Sequence, residues 1–202
     1  MGAGLIPTSF HDGKLYFLFG RENKYDDSYP NHWADFGGGT DDNETYLETA
    51  IREGTEEITG FLGSFSDMKK KLKKGVYVIE NKSNGFKPFR THLFSLNYDE
   101  KLPYYYNNNQ LFLQKKLDQK IIKNSKIFEK AEIKWFSIDD LIKNKKEFKK
   151  WYQVIIEKII NEKMEIMKFI KNKSKPKTKR NKTGKNMKKS KKNKTKKFST
   201  KK

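Results

Sequence analysis

The chain has 202 residues, 34% of them hydrophobic and 14% aromatic, which is enough for one packed core and too few for two ordinary domains. It has no cysteine, which excludes disulfides, thiolate nucleophiles and Cys-ligated zinc or iron–sulfur sites and leaves oxygen or imidazole to bind any metal. The formal charge of +20 is local: 16 Lys and Arg180, with no acid, put +17 in residues 171–202 and leave +3 for residues 1–170.

Residues 1–10 lack a charged start followed by a long apolar run, and no stretch approaches the roughly 20 apolar residues of a membrane span. An intracellular, cytoplasmic protein without membrane contact is expected. Residues 5–10 and 14–20 predict strands joined by a turn at Asp12-Gly13. Residues 22–31 are polar and read as a surface loop, and residues 33–36 lead into a glycine triplet. Between residues 42 and 59, Leu47, Ala50, Ile51 and Ile58 recur at helical spacing with Gly54 among them. Residues 66–74 predict a short basic helix. Strands are expected at 76–79 and 89–96, separated by a turn at Ser83-Asn84-Gly85. Residues 107–123 favour a helix and 133–136 a strand, and Ser137 followed by Asp140 resembles a helix-starting cap.

Beyond it, Phe148, Trp151, Tyr152, Ile155, Ile159, Ile166 and Ile170 keep one apolar face, as a docked terminal helix needs. The expected fold class is an α/β (α+β) sandwich, a mixed sheet between helices. Its divisions are a catalytic domain over 1–143, an amphipathic C-terminal helix over 144–170 and a disordered Lys-rich tail over 171–202. In that tail Met187 and Phe198 are the large apolar side chains, too few to offset the entropy of ordering it.

The chemistry-bearing segment runs from residue 37 to residue 63. At 100° per residue, Glu53, Glu56 and Glu57 fall in one sector of a helix beside the apolar sector. Like charges at three- and four-residue spacing repel, and a divalent cation is the natural compensation. Carboxylate oxygens select Mg²⁺ or Mn²⁺, which bind few protein ligands and fill their remaining positions with water and phosphate. Such an ion neutralises phosphate charge and lowers the pKa of a bound water, while a further carboxylate accepts its proton. The opposing interpretation is a solvated acidic helix face.

From Gly38 onward, Glu44, Arg52, Glu53, Glu56 and Glu57 stand at the spacing of the Nudix box, Gx5Ex7REUxEExGU, and the segment resembles that family. The resemblance implies that Glu53, Glu56 and Glu57 bind the metals, with Glu56 the position most often tied to positioning or deprotonating water. It implies that Gly38 adds a backbone carbonyl, and that Glu44 and Arg52 form a salt bridge holding the loop–helix–loop together. Gly54 replaces the expected bulky aliphatic, and Thr59 takes the terminal glycine position with Gly60 one residue late. The order of strands and the EIKWFSIDDL stretch also look like the Nudix fold, and the chain is similar to Nudix proteins of large DNA viruses.

Outside the box, Arg21 is a candidate phosphate contact, with a surface arginine as the alternative. Glu129 and Glu132 are candidates for an extra base or metal ligand. Trp33 and Phe36 offer rings for base stacking, set against a core role. Residues 104–109, three Tyr then three Asn, are read as bordering a substrate pocket. His11, His32 and His92 are scattered without metal-ligand spacing.

Two functions follow. One is a Mg²⁺- or Mn²⁺-dependent pyrophosphohydrolase cutting a phosphoanhydride bond in a nucleoside diphosphate-linked substrate, either a free nucleotide or a capped mRNA 5′ end. The other is a catalytically silent Nudix fold that binds nucleotide or RNA. The tail is consistent with nonspecific RNA contact, with a nuclear address, or with the product of A/U-rich codons.

Overall fold

In the computed structural model, which describes residues 1–26, 28–82, 87–125 and 128–174, Asp12 and Gly13 both take positive φ, 44° and 77°. This is the backbone a two-residue hairpin turn demands, and it joins β1 (Gly2–His11) to β2 (Lys14–Glu22) with His11 opposite Lys14. The sheet grows around β1. One edge pairs in parallel with β6 (Phe89–Ser95), which pairs antiparallel with β5 (Tyr77–Asn81). The other edge changes partner along its length, from β4 (Phe36–Gly39) at residues 2–5 to β2 at residues 8–11. Pro7, which has no N–H to donate, lies in the gap between the two pairings. β2 then pairs with the short β3 (Trp33–Ala34) and along its length with β7 (Lys130–Ser137), completing seven strands among the described residues.

Alternation along the strands builds a core on each face. Ala3, Leu5 and Phe94 pack under α1 (Tyr46–Glu57) and α2 (Phe65–Leu72). Beside them, Leu18, Phe36, Ile133 and Trp135 pack with Ile58 and with Tyr106 of α3 (Lys101–Lys116). Ile6, Phe17, Phe19, Leu93 and Phe136 point to the opposite face, under α5 (Ile138–Asn144), α6 (Gln153–Asn161) and α7 (Lys163–Ser174). Each buried Leu, Ile or Phe among them contributes roughly 1.5–3 kcal/mol. Three helices are entered through capping boxes, at Thr45 with Glu48, Ser64 with Asp67, and Ser137 with Asp140.

The sandwich expected from the sequence is present, with several differences. The glycine triplet is a strand, β4, because β1 comes so close that a Cβ on Gly37 would lie 2.4 Å from Gly4 Cα. The helix expected at 107–123 begins at Lys101, with Pro103 in its first turn, and breaks at Leu117 before α4 (Gln119–Asn124). The apolar face expected of one terminal helix is carried by two 3₁₀ turns and two α-helices separated at Glu162. The lysine-rich stretch begins inside α7, where Ile170 is buried and Lys171 Nζ lies 4.0 Å from the Phe10 ring centroid. The expected turn at Ser83-Asn84-Gly85 and residues 175–202 lie outside the described residues. No helix among the described residues is long and apolar enough to cross a membrane.

Candidate active site

Thr45 caps the start of α1, and Arg52, two turns on, ties the helix to the loop before it and to the end of β4. Its Nε and Nη2 donate to Glu44 Oε1 and Oε2 at 2.8 and 2.9 Å, a bidentate pair. Nη2 also donates to the Gly39 carbonyl at 3.1 Å, and Nη1 donates to Glu53 Oε1 at 2.7 Å. The Arg52 hydrogen bonds come first among the causes that lower the Glu44 carboxyl to about 2, with Thr49 Oγ1 donating to Oε2 at 2.9 Å. One guanidinium thus fixes both the loop before α1 and the first of the three clustered acids.

Glu53 is buried against Gly38, where a Cβ would lie 2.5 Å from Glu53 Oε1. Only glycine leaves this space between the strand and the carboxylate. Glu56 is half-exposed, with Oε2 4.0 Å from Arg52 Nη1. Glu57 is buried: its Oε1 lies 3.3 Å from Lys130 Nζ, and its Oε2 has no hydrogen-bond partner among the described residues. Burial, with Glu22, Glu129 and Glu53 nearby, pushes the Glu57 carboxyl well above its usual range against the pull of Lys130. Arg52 therefore joins Glu44 to Glu53, and Glu53 in turn lies against Gly38, with Glu56 at the exposed rim and Glu57 turned toward β7. Among the described residues, no three acidic or histidine side chains form a ready-made metal cage.

Sequence reasoning missed the ion cluster beneath Glu57. Lys130 is 1% exposed, its stem running past Gly20, where a Cβ would meet Lys130 Cδ at 2.8 Å. Its ammonium is hydrogen-bonded to Glu22, which also meets Lys149 Nζ at 2.6 Å. Burial opposes the Lys130 charge, but Glu57 and Glu22 outweigh it and keep the ammonium protonated. Local pattern gave no sign of this, since Lys130 opens a strand and its partners lie elsewhere in the chain.

Of the box's two departures, one has a structural cause and the other a structural cost. A Cβ on Gly54 would lie 2.4 Å from Leu5 Cδ1, so the β1 leucine occupies the space an aliphatic side chain on α1 would need. Thr59 adopts φ 50°, the conformation that favours glycine, and buries an Oγ1 without a partner. Thr59→Gly is therefore expected to stabilise the fold by about 1 kcal/mol, the relief of strain and of the orphaned hydroxyl exceeding the entropy cost of glycine. Denaturant melts check this: the midpoint should rise with an unchanged slope.

The outlying candidates fare differently. Arg21 and Glu132 face each other across β2 and β7, with Nε 2.9 Å from Oε1, so each neutralises the other instead of presenting a free charge. The pair lines a cleft of about 210 Å³ with Asn23, Asn107 and Gln114. Glu129 accepts from Asn23 N through its carbonyl. Phe36 is fully buried and Trp33 is 5% exposed, with its ring edge-on to Phe136. The structure puts both in the core, without a free face for stacking. The Tyr and Asn run divides: Tyr106 is buried, donating to the Glu57 carbonyl at 2.8 Å, while Tyr104 and Tyr105 are exposed. Asn107 closes the outer edge of β7 by exchanging two hydrogen bonds with the Ile133 backbone. His92 is buried, its ring nitrogen 3.3 Å from the Gly4 carbonyl, and burial lowers its pKa.

Asp35 is a further buried acid, seated where Gly4 leaves room for it and accepting from Thr91 Oγ1 at 2.9 Å. Burial raises its carboxyl to about 6, against Lys130 and the Thr91 and Tyr152 hydroxyls. A raised folded value means that the folded chain holds the proton more tightly. This contribution to stability is therefore full below the ordinary value of 3.8 and is lost as pH rises through about 6. Asp35→Asn should remove roughly 3 kcal/mol of that pH dependence. The melting temperature of the variant relative to the parent should climb between pH 4 and 7. A pH-independent difference refutes the assignment.

The NUDIX domain family model matches residues 2–159. Over 58 residues the chain is 41% identical to the uncharacterized protein L534 of Acanthamoeba polyphaga mimivirus, a match spanning 28% of this chain and 19% of that protein. Among solved structures, a binary complex of a C. elegans Ap4A hydrolase is 18% identical, with a TM-score of 0.48 over 85% of this chain and 99% of that one. The M. smegmatis Nudix hydrolase RenU is 15% identical, with a TM-score of 0.47 over 84% and 86%. A mutT/nudix family protein from Listeria innocua is 15% identical, with a TM-score of 0.48 over 83% and 96%.

Proposed function

The chain belongs to the NUDIX domain family, and on that premise we propose that it is a hydrolase that cuts a phosphoanhydride bond in a nucleoside diphosphate-linked substrate with water. The observation that carries this reading is Glu57 Oε2, a buried carboxylate oxygen without a partner, on the same helix turn as Glu53 and Glu56. Orphaned buried acceptors are costly unless something fills them.

The residues fit a divalent cation. Arg52 holds Glu53 by one oxygen and Lys130 holds Glu57 by one oxygen, so each carboxylate is oriented before any ion arrives. Glu53, Glu56, Glu57 and the Gly38 backbone carbonyl would hold Mg²⁺ or Mn²⁺, hard ions suited to an all-oxygen donor set. When bound, such an ion supplies charge neutralisation of the phosphates and acidifies water. Glu56, the most exposed of the three, is the group placed to orient a water and accept its proton. Arg52 keeps Glu53 in place by spanning Glu44, Gly39 and Glu53, which makes it a positioning residue.

A binding module without turnover is the second reading, favoured by the lack of a ready-made three-acid cage among the described residues. Mass spectrometry of products after incubation with Mg²⁺, a nucleotide panel and capped RNA separates the two. Products that vanish in Glu56→Gln support the hydrolase and identify its substrate. Binding without products across the whole panel supports the module.

A further inference from the structure

The outward face of α3 has no role in the hydrolytic reading. Tyr104, Tyr105, Leu111 and Phe112 are 65, 56, 55 and 60% exposed. With the exposed Lys101, Lys115 and Lys116 they lie within a stripe of about 140° around the helix. The opposite face is fully used, since Tyr106 and Gln110 are buried and Asn107 is bonded to β7. Four large apolar side chains standing in water on one helix need an explanation.

Charge says what covers them. Residues 101–117 contain three lysines and no acid; of the flanking acids, Asp99 and Glu100 precede Lys101 and Asp118 caps α4, so Lys115 and Lys116 are the paired charges at the far end of the face. A chain of phosphates carrying flat rings answers both features, because bases stack on aromatic side chains while lysines meet the backbone. The rings of Tyr104 and Tyr105 already stand edge to face, centroids 5.5 Å apart, so the two do not cover each other's faces as stacked rings would. From Tyr104 to Phe112 the ridge runs about 12 Å, matching about four nucleotides at the 3.4 Å spacing of a stacked strand.

We propose that the exposed face of α3 is a binding platform for single-stranded nucleic acid, with Tyr104, Tyr105 and Phe112 stacking on bases and Lys115 and Lys116 meeting phosphates. Tyr106, on the buried side of the same helix, is hydrogen-bonded to the Glu57 carbonyl, so the platform is fixed to the end of α1. As a binding surface it stands alone; as a surface that delivers a strand to the carboxylates it rests on the hydrolase reading above.

The test uses the full chain, a fluorescently labelled single-stranded RNA of roughly ten nucleotides and EDTA, so that no turnover is required. Fluorescence anisotropy should show Tyr104→Ala/Tyr105→Ala/Phe112→Ala binding about 100-fold more weakly, with an unchanged salt dependence. Tyr104→Phe/Tyr105→Phe should retain affinity, which separates lost stacking from lost folding. Lys115→Ala/Lys116→Ala should instead flatten the salt dependence by a slope of about 1.4. Unchanged affinity in the aromatic triple variant overturns the proposal. So does a parent dimer in sedimentation that this variant dissolves without loss of RNA affinity, because the face then belongs to a second copy. Binding as expected with no hydrolysis of any substrate leaves the platform standing and removes the hydrolase.

Discussion

Replacing Lys130 with methionine is expected to destabilise the fold at pH 7 by about 3–5 kcal/mol, the cost of leaving a buried charge without its partner. Lys130 is 1% exposed between Glu22 and Glu57, and among the described residues only Glu22 of these two acids has a second lysine, Lys149, within reach. Glu57 would be left uncompensated. Its carboxyl is already raised by burial, and without Lys130 it would take up a proton more readily still. The deficit of the variant should therefore grow as pH rises through the raised value and shrink on acidification. Equilibrium denaturation across pH measures this, and Lys130→Met/Glu57→Gln should recover most of the loss because no buried charge is then stranded. Magnesium should raise the melting temperature of Lys130→Met more than that of the parent, the ion taking over compensation of Glu57. Equal shifts in the two proteins would place the ion elsewhere.

Glu56→Gln should do the reverse, lowering turnover by about 10²–10⁴-fold, the usual contribution of a positioned base, with stability changed by no more than about 0.5 kcal/mol. Glu56 is half-exposed and its nearest cation stands 4.0 Å away, so little structure depends on its charge. Glu57→Gln should also abolish turnover, but with an altered pH dependence of stability because it removes a buried titrating group. Steady-state rates alongside thermal melts tell them apart. A Glu56→Gln protein with parental turnover removes Glu56 from the chemistry.

The parts of this arrangement written in adjacent residues were legible in the sequence. The Asp12-Gly13 turn, the Ser137 cap and the spacing from Gly38 to Glu57 each need only neighbours along the chain or along one helix. What was not legible depends on distant contacts. Three glycines in a row carry no strand signal until Gly4 of another strand demands the space beside Gly37. Gly54 is a departure from the family pattern until Leu5 is seen to fill the gap. The Lys130–Glu22 pair joins residues 108 apart, and no periodicity in either strand marks them. Phe36 and Trp33 could not be assigned between core and site because a buried ring and a stacking ring have the same sequence signature.

The α1 carboxylates should take up a divalent cation, which calorimetric titration of the full chain with Mg²⁺ and Mn²⁺ near neutral pH, repeated in buffers of different ionisation enthalpy, measures. Saturable uptake that weakens on acidification is expected, the buffer comparison reading the protons the ion displaces, and it should disappear in Glu57→Gln. No uptake of either ion by the folded parent, or uptake that Glu57→Gln leaves intact, contradicts cation binding by these carboxylates.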